Sequence, residues 1–486
     1  MTKPTVSTRT PLLAESLAFH ARVRPEDIAL QDENGTHTFR DLASIVQELT
    51  YFIENSALPQ RIGISAGNNI FHVAALYAMA SAGRIGVIFD PKWKSMELKA
   101  ARRAFDVQHV LIDAQSLELE RADFHTHLIQ KSLQRAEQRF PDLRTKGNPS
   151  DTFLISPSGG TSGKIKGSRI THEASVARIV TQLVEFGIPS QGTFLASTPL
   201  YHGSARSLGL GYLYAGGSLR VTPAFDVDRW FEDVAGATAT FCVPTMLHRL
   251  VRHPKARKLP DEMRLLTGGA PIDPQLAKTV REILSDNFYD YYASVESGPV
   301  TVKHPFDTNL PVGCVGRPAF GVDVRISEPD EKGIGRIVVS GPCISSGQEG
   351  DTARSGELLT ELHLNDLGRL DESGYLHLHG RTDDTIISGG VNIHPGEIES
   401  LLESHPEVQM AAVVGVSCAE WGQRVEAAVV THDGPGDGND FLDFLRPQLS
   451  PAKRPKAIHV RQTLPMTSIG KINRRALAAQ LTEEIR

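Results

Sequence analysis

The first part of the chain alternates between two patterns of hydrophobic and polar positions. Between Leu12 and about Ala114, helical patterns are interrupted by short apolar runs, such as residues 61–65 and 85–89. Apolar runs that alternate with helical segments are typical of βαβ units, whose strands form a parallel sheet. We therefore predict an α/β fold for this part of the chain.

Residues 115–150 are charged and only weakly patterned, and we expect them to form a surface excursion. The α/β pattern then resumes, because further apolar runs are each followed by a helical pattern or a Gly-rich turn. These predicted strands are residues 152–156, 193–197, 218–222, 240–243 and 264–267.

Beyond Leu310 the pattern changes to strands and turns, with predicted strands at residues 323–327, 335–340 and 374–379. A domain boundary is predicted near residues 380–384, where a compact α+β pattern begins. The remaining segment has about 100 residues, which suffices for a small domain. Its predicted elements are helices at 397–404 and 440–449, strands at 410–414 and 425–430, and a loop with a final helix at 464–485.

Composition narrows the class of protein. A chain of 486 residues is too long for one ordinary core, and 40% hydrophobic with 22% charged residues is typical of a soluble globular protein. The net charge of −6, without a basic block, argues against nucleic acid as a partner. The apolar run at residues 73–82 is too short to span a bilayer, so no membrane span is expected.

The polar first ten residues lack the apolar stretch of a secretory signal. The cysteines show neither metal-binding nor redox spacing; they are Cys242, Cys314, Cys343 and Cys418. We therefore expect buried, reduced thiols in a cytoplasmic protein.

A Gly-rich segment follows one predicted strand. Residues 156–167 read Ser-Pro-Ser-Gly-Gly-Thr-Ser-Gly-Lys-Ile-Lys-Gly. Glycines allow backbone N–H groups to turn towards an anion, and hydroxyls and lysine add donors and charge. The spacing differs from that of a Walker A loop. On composition alone, a phosphate-binding loop and a flexible surface loop both remain possible.

The residue order in this segment resembles the signature loop of the adenylate-forming superfamily. That superfamily includes acyl-CoA synthetases, nonribosomal peptide adenylation domains and firefly-type luciferases. Further motifs that look like those of the family follow in order, so the resemblance covers essentially the whole chain. They are Pro-Leu-Tyr-His at 199–202, Thr-Gly-Gly-Ala-Pro at 267–271, Tyr-Ala-Ser-Val-Glu at 292–296, Asp-Leu-Gly-Arg-Leu-Asp at 366–371, Gly-Arg-Thr-Asp-Asp at 380–384, Ile-Ser-Gly-Gly-Val-Asn-Ile at 387–393 and Pro-Met-Thr-Ser-Ile-Gly-Lys at 465–471.

This resemblance implies a particular division of the chain. A large N-terminal AMP-binding domain, residues 1–382, would contain two α/β sheets, a small β-subdomain and the acyl pocket. A small mobile α+β domain, residues 383–486, would carry the catalytic lysine. Asp383 matches the hinge between the two.

The resemblance further implies that ATP and Mg²⁺ activate a small-molecule carboxylic acid as its acyl-adenylate, with release of pyrophosphate. Two anions must approach each other in this reaction, so the site needs positive charge and aligned donors. The positions that match ATP- or AMP-binding residues are Ser158, Gly159, Gly160, Thr161, Ser162, Gly163, Gly268, Gly269, Ala270, Asp290, Tyr291, Tyr292, Ala293, Ser294, Asp366 and Arg381.

Several of these positions have a defined role in the family. Tyr292 matches the residue that stacks on adenine, and Asp290 matches the acceptor for the adenine amino group. Asp366 matches the carboxylate that accepts both ribose hydroxyls, with Arg381 beside it. Judged without the resemblance, two adjacent tyrosines such as 291 and 292 are more often part of core packing than a stacking platform.

Four positions match catalytic residues of the family: Lys166, His202, Glu296 and Lys471. Lys166 would hold the β- and γ-phosphates. Glu296 would bind Mg²⁺, which prefers hard oxygen ligands. Lys471 would reach the α-phosphate and carboxylate oxygens during adenylation. The threonine that usually precedes the glutamate is Val295 here, which removes one hydroxyl contact to phosphate.

The residues predicted to line the acyl pocket are His202, Gly203, Ser204, Gly269 and Ser294. His202 stands where amino-acid-activating relatives carry an aspartate for the substrate ammonium. A buried ammonium needs an anionic partner, so α-amino acids are disfavoured and a fatty or aryl acid is favoured. Small residues after His202 leave volume for the acid. We expect Arg206 to lie outside this pocket.

In the family, the acyl group is then transferred to a thiol. Gly389, Gly390 and Trp421 match positions along the pantetheine path, where a side chain at Gly390 would block the arm. The leading hypothesis is an acid–thiol ligase that uses coenzyme A. The alternatives are a stand-alone adenylation enzyme that loads the phosphopantetheine of an acyl carrier protein, an amide-forming ligase, and a non-catalytic nucleotide-binding relative.

Overall fold

The computed structural model describes most of the chain. The described residues are 10–93, 95–113, 124–132, 143–159, 165–308, 310–350, 359–381, 386–388, 391–393, 395–418, 422–432, 437–449, 453–467 and 471–485.

Strands and helices alternate through much of the described chain. The strands are β1 (Ile28–Asp32), β2 (Gly35–Thr38), β3 (Arg61–Ser65), β4 (Ile85–Ile88), β5 (His109–Ile112), β6 (His125–Leu128), β7 (Thr152–Gly159), β8 (Ile165–Thr171), β9 (Thr193–Ala196), β10 (Ser218–Val221), β11 (Ala239–Phe241), β12 (Arg264–Gly268), β13 (Phe288–Ser294), β14 (Gly298–Lys303), β15 (Arg317–Pro318), β16 (Asp323–Ser327), β17 (Gly335–Ser340), β18 (Gly347–Gly350), β19 (Glu361–Leu370), β20 (Leu376–Arg381), β21 (Ile386–Ser388), β22 (Val391–Ile393), β23 (Val408–Cys418), β24 (Gly422–Thr431) and β25 (Ile458–Arg461). The helices are α1 (Leu13–Val23), α2 (Phe39–Asn55), α3 (Ile70–Ala82), α4 (Ser95–Phe105), α5 (Ile129–Ser132), α6 (His172–Phe186), α7 (Gly203–Ala215), α8 (Val227–Asp233), α9 (Pro244–Val251), α10 (Pro274–Ile283), α11 (Pro395–Glu403), α12 (Gly438–Leu445) and α13 (Arg474–Ile485).

The first sheet has a parallel centre and antiparallel edges. Its order is β15-β14-β13-β12-β11-β9-β10-β1-β2, in which β13 through β1 run parallel. Parallel strands end at the same edge of a sheet, where ligands bind in α/β proteins. The segments that follow β9, β12 and β13 therefore leave the sheet side by side, and they contain the predicted acyl, adenine and metal residues.

The second sheet has the order β18-β8-β7-β4-β3-β5-β6. Strands β7, β4, β3, β5 and β6 are parallel, whereas β8 pairs antiparallel with β7. The Gly-rich segment thus spans the two strands of a hairpin. Strand β7 ends at the same edge of the sheet as β3 and β4, because the three strands are parallel.

Helix α3 lies between the two sheets, in contact with β1 of the first and with β3 and β4 of the second. Its sequence is apolar on all sides, as expected for a helix without a solvent face. The side chain of Asn69 caps its N-terminus by accepting N–H bonds from Phe71 and His72. Gly83 ends it with a φ of 63°, a left-handed conformation that glycine adopts without strain.

A buried asparagine connects the two sheets near the predicted site. The amide of Asn68, which follows β3, donates to the carbonyls of Thr198 (3.2 Å) and Thr222 (3.0 Å). Its side-chain oxygen accepts the N–H of Leu200 at 2.7 Å. The segment that leads to His202 is therefore fixed against the second sheet.

Two smaller sheets follow in the chain. The antiparallel sheet β16-β17-β19-β20 forms a β-subdomain with its own apolar core. The last sheet has the order β22-β21-β24-β23, with β25 beside β24. In β23, Ala411 and Val413 face the core formed with α11 and α12, whereas Ala412 and Val414 face α13. This alternation is the two-residue period of a strand that is covered on both faces.

The predicted fold class, two α/β sheets with a β-subdomain and a small α+β part, is confirmed. One prediction was wrong in part. Residues 115–150 were expected to be a surface excursion, but residues 125–128 form β6, which pairs in parallel with β5. Its sequence, His-Thr-His-Leu, is too short and polar to show a strand pattern, and the pairing with a neighbouring strand specifies it.

The four cysteines are free, as predicted. Cys242, Cys314 and Cys343 are buried, whereas Cys418 is only half-buried, at the end of β23. None of the described helices combines the length and the apolar character that crossing a bilayer requires.

Candidate active site

The Gly-rich segment is held by the β7–β8 hairpin. Ser158 and Lys166 are register partners across it, and Lys166 is half-buried. A Cβ atom at Gly167 would lie 2.7 Å from both Ile155 and Phe105, so this strand can approach its neighbours only with glycine there. The hairpin therefore places Lys166 opposite Ser158, one of the predicted phosphate-binding residues.

Some predicted residues lie outside the described residues: Gly160, Thr161, Ser162, Gly163, Asp383, Gly389, Gly390 and Trp421. Ser158 and Gly159 are described through their backbone, as the last residues of β7.

A flat stretch of backbone follows β12. A Cβ atom at Gly268 would lie 2.6 Å from the carbonyl oxygen of Tyr291 on the adjacent strand, so only glycine fits. Gly269 has a φ of 82°, and a Cβ there would meet nothing within 4 Å. At Gly269 there is therefore open space against the backbone, which a planar ligand can occupy.

Strand β13 sends its two adjacent tyrosines to opposite sides, because successive side chains of a strand alternate. Tyr291 is only 3% exposed and packs in the core against Phe186 and Phe241. Tyr292 is half-buried on the other face, and its hydroxyl donates to Asp366 Oδ2 at 2.5 Å. The structure therefore brings Tyr292, but not the side chain of Tyr291, to the predicted ribose carboxylate.

Asp366 and Arg381 are register partners on β19 and β20. Arg381 Nη1 lies 3.8 Å from Asp366 Oδ1, so the carboxylate has a cation on one oxygen and a phenol on the other. Burial, and then the charge of Asp366, raise the pKa of Tyr292 well above its usual value. The phenol therefore stays protonated and remains a hydrogen-bond donor.

Asp290 has a partner that the motif comparison missed. Its Oδ2 lies 2.7 Å from Nζ of Lys303, the residue opposite it on β14. Lys303 is the last residue of β14 and follows an apolar run. Nothing in the sequence around it indicates that it pairs with Asp290.

Glu296 lies in the turn between β13 and β14. Ser294 Oγ accepts the N–H of Ser297 at 3.0 Å and shapes this turn. The Glu296 carbonyl accepts the N–H of Ser345 at 2.7 Å and a guanidinium bond from Arg178 at 3.1 Å. The side chain is half-buried, and Ala293 and Ser294 precede it on the same edge.

Lys471 reaches the same region from the C-terminal part of the chain. Its backbone is fixed by two bonds to Thr467, one from the Thr467 N–H to the Lys471 carbonyl at 2.7 Å and one from the Lys471 N–H to Thr467 Oγ1 at 3.1 Å. Desolvation in the cleft lowers the pKa of Lys471, as does Arg381, whereas Asp366 and Glu296 oppose the shift. Lys471 nevertheless remains exposed to solvent over part of its surface. Lys471 and the two carboxylates thus converge from three separate segments.

The predicted acyl pocket begins at the N-terminus of α7. His202 precedes this helix, and a Cβ at Gly203 would meet nothing within 4 Å, so the space beside the helix start is open. Burial, and then the charges of Arg206 and Lys92, lower the pKa of His202 to about 4. His202 is therefore neutral near pH 7. Ser204 is the next residue of the first helical turn.

Arg206 is buried beneath this pocket. It donates to the carbonyls of Leu200 (3.3 Å) and Tyr201 (2.9 Å) and to Ser156 Oγ at 2.9 Å. These bonds connect α7 to the strand that carries the Gly-rich segment. They also occupy the guanidinium with groups of the protein.

The chain matches the AMP-binding enzyme family over residues 17–347 and the C-terminal domain of AMP-binding enzymes over residues 397–471. The chain belongs to the AMP-binding enzyme family. The family predicted from the motifs is thereby confirmed, and with it the enzyme class, an AMP-forming acid–thiol ligase.

Curated relatives of this AMP-binding enzyme match it over nearly its full length. A feruloyl-CoA synthase from Amycolatopsis sp is 30% identical over 483 residues, covering 93% of this chain and 95% of the relative. A 2-succinylbenzoate–CoA ligase from Bacillus cytotoxicus is 29% identical over 480 residues, covering 96% of this chain and 98% of the relative.

A solved structure of similar fold is the o-succinylbenzoate-CoA synthetase of Bacillus subtilis in complex with its acyl-adenylate. It has a TM-score of 0.84 and 26% identity, covering 97% of this chain and 98% of that chain. The same synthetase has also been solved in complex with ATP and magnesium.

Proposed function

We propose that this AMP-binding enzyme uses ATP and Mg²⁺ to convert a carboxylic acid to its acyl-adenylate and then transfers the acyl group to the thiol of coenzyme A. The observation that carries the proposal is that Lys471, from the C-terminal part of the chain, lies within electrostatic range of Arg381, Asp366 and Glu296. A cation close to a nucleotide-binding carboxylate and a potential metal ligand is the arrangement that adenylation requires.

In this proposal the nucleotide lies along the shared edge of the sheets. Its adenine rests between Tyr292 and the backbone of residues 268–270, and its ribose hydroxyls donate to Asp366. The phosphates extend towards the hairpin, where Lys166 offsets the charge of the leaving pyrophosphate and the loop hydroxyls donate hydrogen bonds to it. Positive charge is needed at this end because pyrophosphate leaves as an anion.

The residues present fit a magnesium ion. Mg²⁺ is commonly held by one or two carboxylates together with substrate phosphates, and Glu296 supplies one such carboxylate. Among the described residues there is no cluster of three or more His, Cys, Asp or Glu side chains that could hold a metal by itself. When bound, the ion would neutralise phosphate charge.

Lys471 then acts on the reacting groups. Its ammonium contacts both the substrate carboxylate and the α-phosphate, so that the attacking oxygen and the phosphorus are brought together. Charge accumulates on the phosphate oxygens in the transition state, and a fixed cation stabilises that charge more than it stabilises bound substrate. We expect its contribution to be confined to the adenylation step.

For the acid, we propose an aryl carboxylic acid. The two curated relatives are named for feruloyl and 2-succinylbenzoate substrates, both of which contain an aromatic ring. A neutral His202 and the open space at Gly203 suit an uncharged ring better than an ammonium group. The pantetheine arm would pass Gly389 and Gly390 in the second step.

The test is acid-dependent pyrophosphate release with a panel of aryl, fatty and amino acids, with and without coenzyme A. We expect release with an aryl acid and multiple turnover only when coenzyme A is added. If pyrophosphate release stops near one turnover and does not respond to coenzyme A, then the acyl acceptor is a carrier protein or an amine instead of coenzyme A. No release with any acid would contradict the proposed reaction.

A further inference from the structure

A buried arginine on α6 lies behind the predicted metal ligand. Arg178 is 8% exposed. Its Nε–H donates to the carbonyl of Cys343 at 2.7 Å, and its Nη2 donates to the carbonyl of Glu296 at 3.1 Å. One side chain therefore connects α6, the turn after β13 and the segment before β18.

This arrangement is unusual because the buried charge has no carboxylate within ion-pair distance among the described residues. A buried charge is costly unless it is compensated. Here the compensation comes from carbonyl oxygens and from the Glu296 charge nearby. Burial lowers the pKa of Arg178 to about 10, whereas Cys343 and Glu296 raise it, so the guanidinium stays charged at neutral pH.

The carbonyl of Glu296 is fixed by two donors, Arg178 and the N–H of Ser345. The backbone at Gly298, on the other side of the turn, also lies close to the Arg178 guanidinium. A Cβ atom at Gly298, whose φ is 70°, would lie 2.8 Å from Arg178 Nε. One guanidinium thus bonds to the Glu296 carbonyl and lies against the backbone at Gly298, two residues further along the chain.

We propose that Arg178 is a positioning residue for Glu296: it fixes the backbone of the turn so that the carboxylate is preorganised for Mg²⁺ bound to a nucleotide. The inference rests on the proposed function. Groups that orient a metal ligand contribute strongly to metal affinity, although they never touch the metal. The sequence gives no signal for this role, since Ala174, Arg178 and Gln182 have the four-residue spacing that a solvated helical face also shows.

The test measures nucleotide binding instead of turnover. The affinity for a non-hydrolysable ATP analogue is determined by calorimetry with excess Mg²⁺ and with EDTA, and the ratio of the two is the magnesium-dependent gain. For Arg178→Met and Arg178→Lys, we expect this gain to fall roughly 10-fold or more, with metal-free binding nearly unchanged. A general disturbance of the fold would weaken both affinities equally.

Two matched controls separate the role of Arg178 from the loss of any buried arginine. Arg220→Met removes a half-buried guanidinium on β10 that likewise donates to two backbone carbonyls, those of Asp233 and Ala235, and it should keep the magnesium-dependent gain. Gly298→Ala places a methyl group against Arg178 and should therefore displace the guanidinium and reduce the magnesium-dependent gain. This variant still tests the proposal if Arg178→Met does not fold. Gly236→Ala, with a φ of 73° and nothing within 4 Å of its Cβ, carries the same backbone strain without the contact and should keep the gain.

An unchanged gain in Arg178→Met or in Gly298→Ala would overturn the proposal, as would equal weakening with and without metal. The result is distinguishable from a failure of the proposed function. If the unaltered chain shows the magnesium-dependent gain but no acid-dependent pyrophosphate release, the reaction is wrong while the positioning role of Arg178 is still tested by binding.

Discussion

Among the single residues of the site, Lys471 has a side chain whose surroundings favour a catalytic role over a structural one. Its backbone is fixed to Thr467, whereas its ammonium lies within electrostatic range of Arg381, Asp366 and Glu296. Desolvation and Arg381 act against the lysine charge, and Asp366 and Glu296 favour it, but no described carboxylate lies within ion-pair distance of the ammonium. The charge is instead available for groups that enter the cleft.

We expect Lys471→Ala to lower acid-dependent ATP–pyrophosphate exchange by roughly 10²- to 10³-fold, because one preorganised charge is lost from the transition state. Conversion of supplied acyl-adenylate to thioester should be almost unaffected. Lys332→Ala, which removes an exposed lysine of the β-subdomain, is the control and should change neither half-reaction. Equal loss of both half-reactions in Lys471→Ala would contradict the role given to this lysine.

Asp366 allows a second prediction at this scale. Its carboxylate accepts from the Tyr292 hydroxyl and lies beside Arg381, an environment that keeps it oriented for two ribose hydroxyls. Hydrogen bonds to a charged group contribute about 1.5–3 kcal/mol, so Asp366→Asn should weaken AMP binding by roughly 10-fold or more in calorimetry. Asp323→Asn, at an exposed position of the same subdomain, should bind AMP normally. An unaltered affinity in Asp366→Asn would place the ribose elsewhere.

At the scale of secondary-structure elements, the strand edges organise the site, and glycines decide how closely they approach. The contact of Gly268 with the carbonyl of Tyr291 lies between β12 and β13, which are paired in parallel. By contrast, Gly203 is the first residue of α7, and a Cβ atom there would meet nothing within 4 Å. The two glycines look alike in sequence, since each follows a family motif or lies within one.

We predict that Gly268→Ala lowers the free energy of unfolding by about 1–3 kcal/mol, the usual cost of overpacking, because neither strand can move away without losing its pairing. Gly203→Ala should leave stability nearly unchanged and narrow the acyl pocket. Urea unfolding of both variants tests the contrast. Equal effects of the two substitutions on stability would show that the β12–β13 contact is not limiting.

The elements themselves were largely predictable. Apolar runs identified β7, β9 and β12, because burial on both faces of a parallel sheet leaves a continuous hydrophobic signal. Strand β6 was missed because its residues are polar and its pairing with β5 is a tertiary effect. Local pattern contains no information about such pairing.

For the whole molecule, motif order predicted the family, but the side-chain pairs across the site were beyond reach. Tyr292 and Asp366 are 74 positions apart, and Arg178 lies 118 positions from Glu296. Such pairs follow from the packing of sheets and subdomains, which a residue's neighbours in sequence do not specify. The same reasoning applies to Asn68, which reads as a loop residue and in fact joins the two large sheets.

The junction of the two sheets also makes the whole fold sensitive to acid. His72 on α3 is completely buried between the sheets, and its Nδ1 lies 3.1 Å from the carbonyl oxygen of Ala66. Burial lowers its pKa to about 4 from an ordinary value of 6.5. In the unfolded chain the His72 imidazole therefore binds a proton below pH 6.5, whereas in the native state it binds that proton only below about pH 4. Stability contributed by neutral His72 is thus complete above pH 6.5 and is lost as the pH falls towards 4.

By linkage, this difference amounts to about 3 kcal/mol between pH 6.5 and 4. His72→Gln retains a donor for the Ala66 carbonyl. We expect its unfolding free energy to fall less steeply with decreasing pH over this range, with a slope smaller by about 1.4 kcal/mol per pH unit, the contribution of one proton. His432→Gln removes an exposed histidine and is the control for the mere loss of a titrating group. Urea unfolding at a series of pH values gives both slopes. If His72→Gln and the unaltered chain lost stability in parallel, protonation at the sheet junction would not be what limits the fold in acid. The half-buried His202, whose pKa is also lowered to about 4, would then be the next histidine to replace.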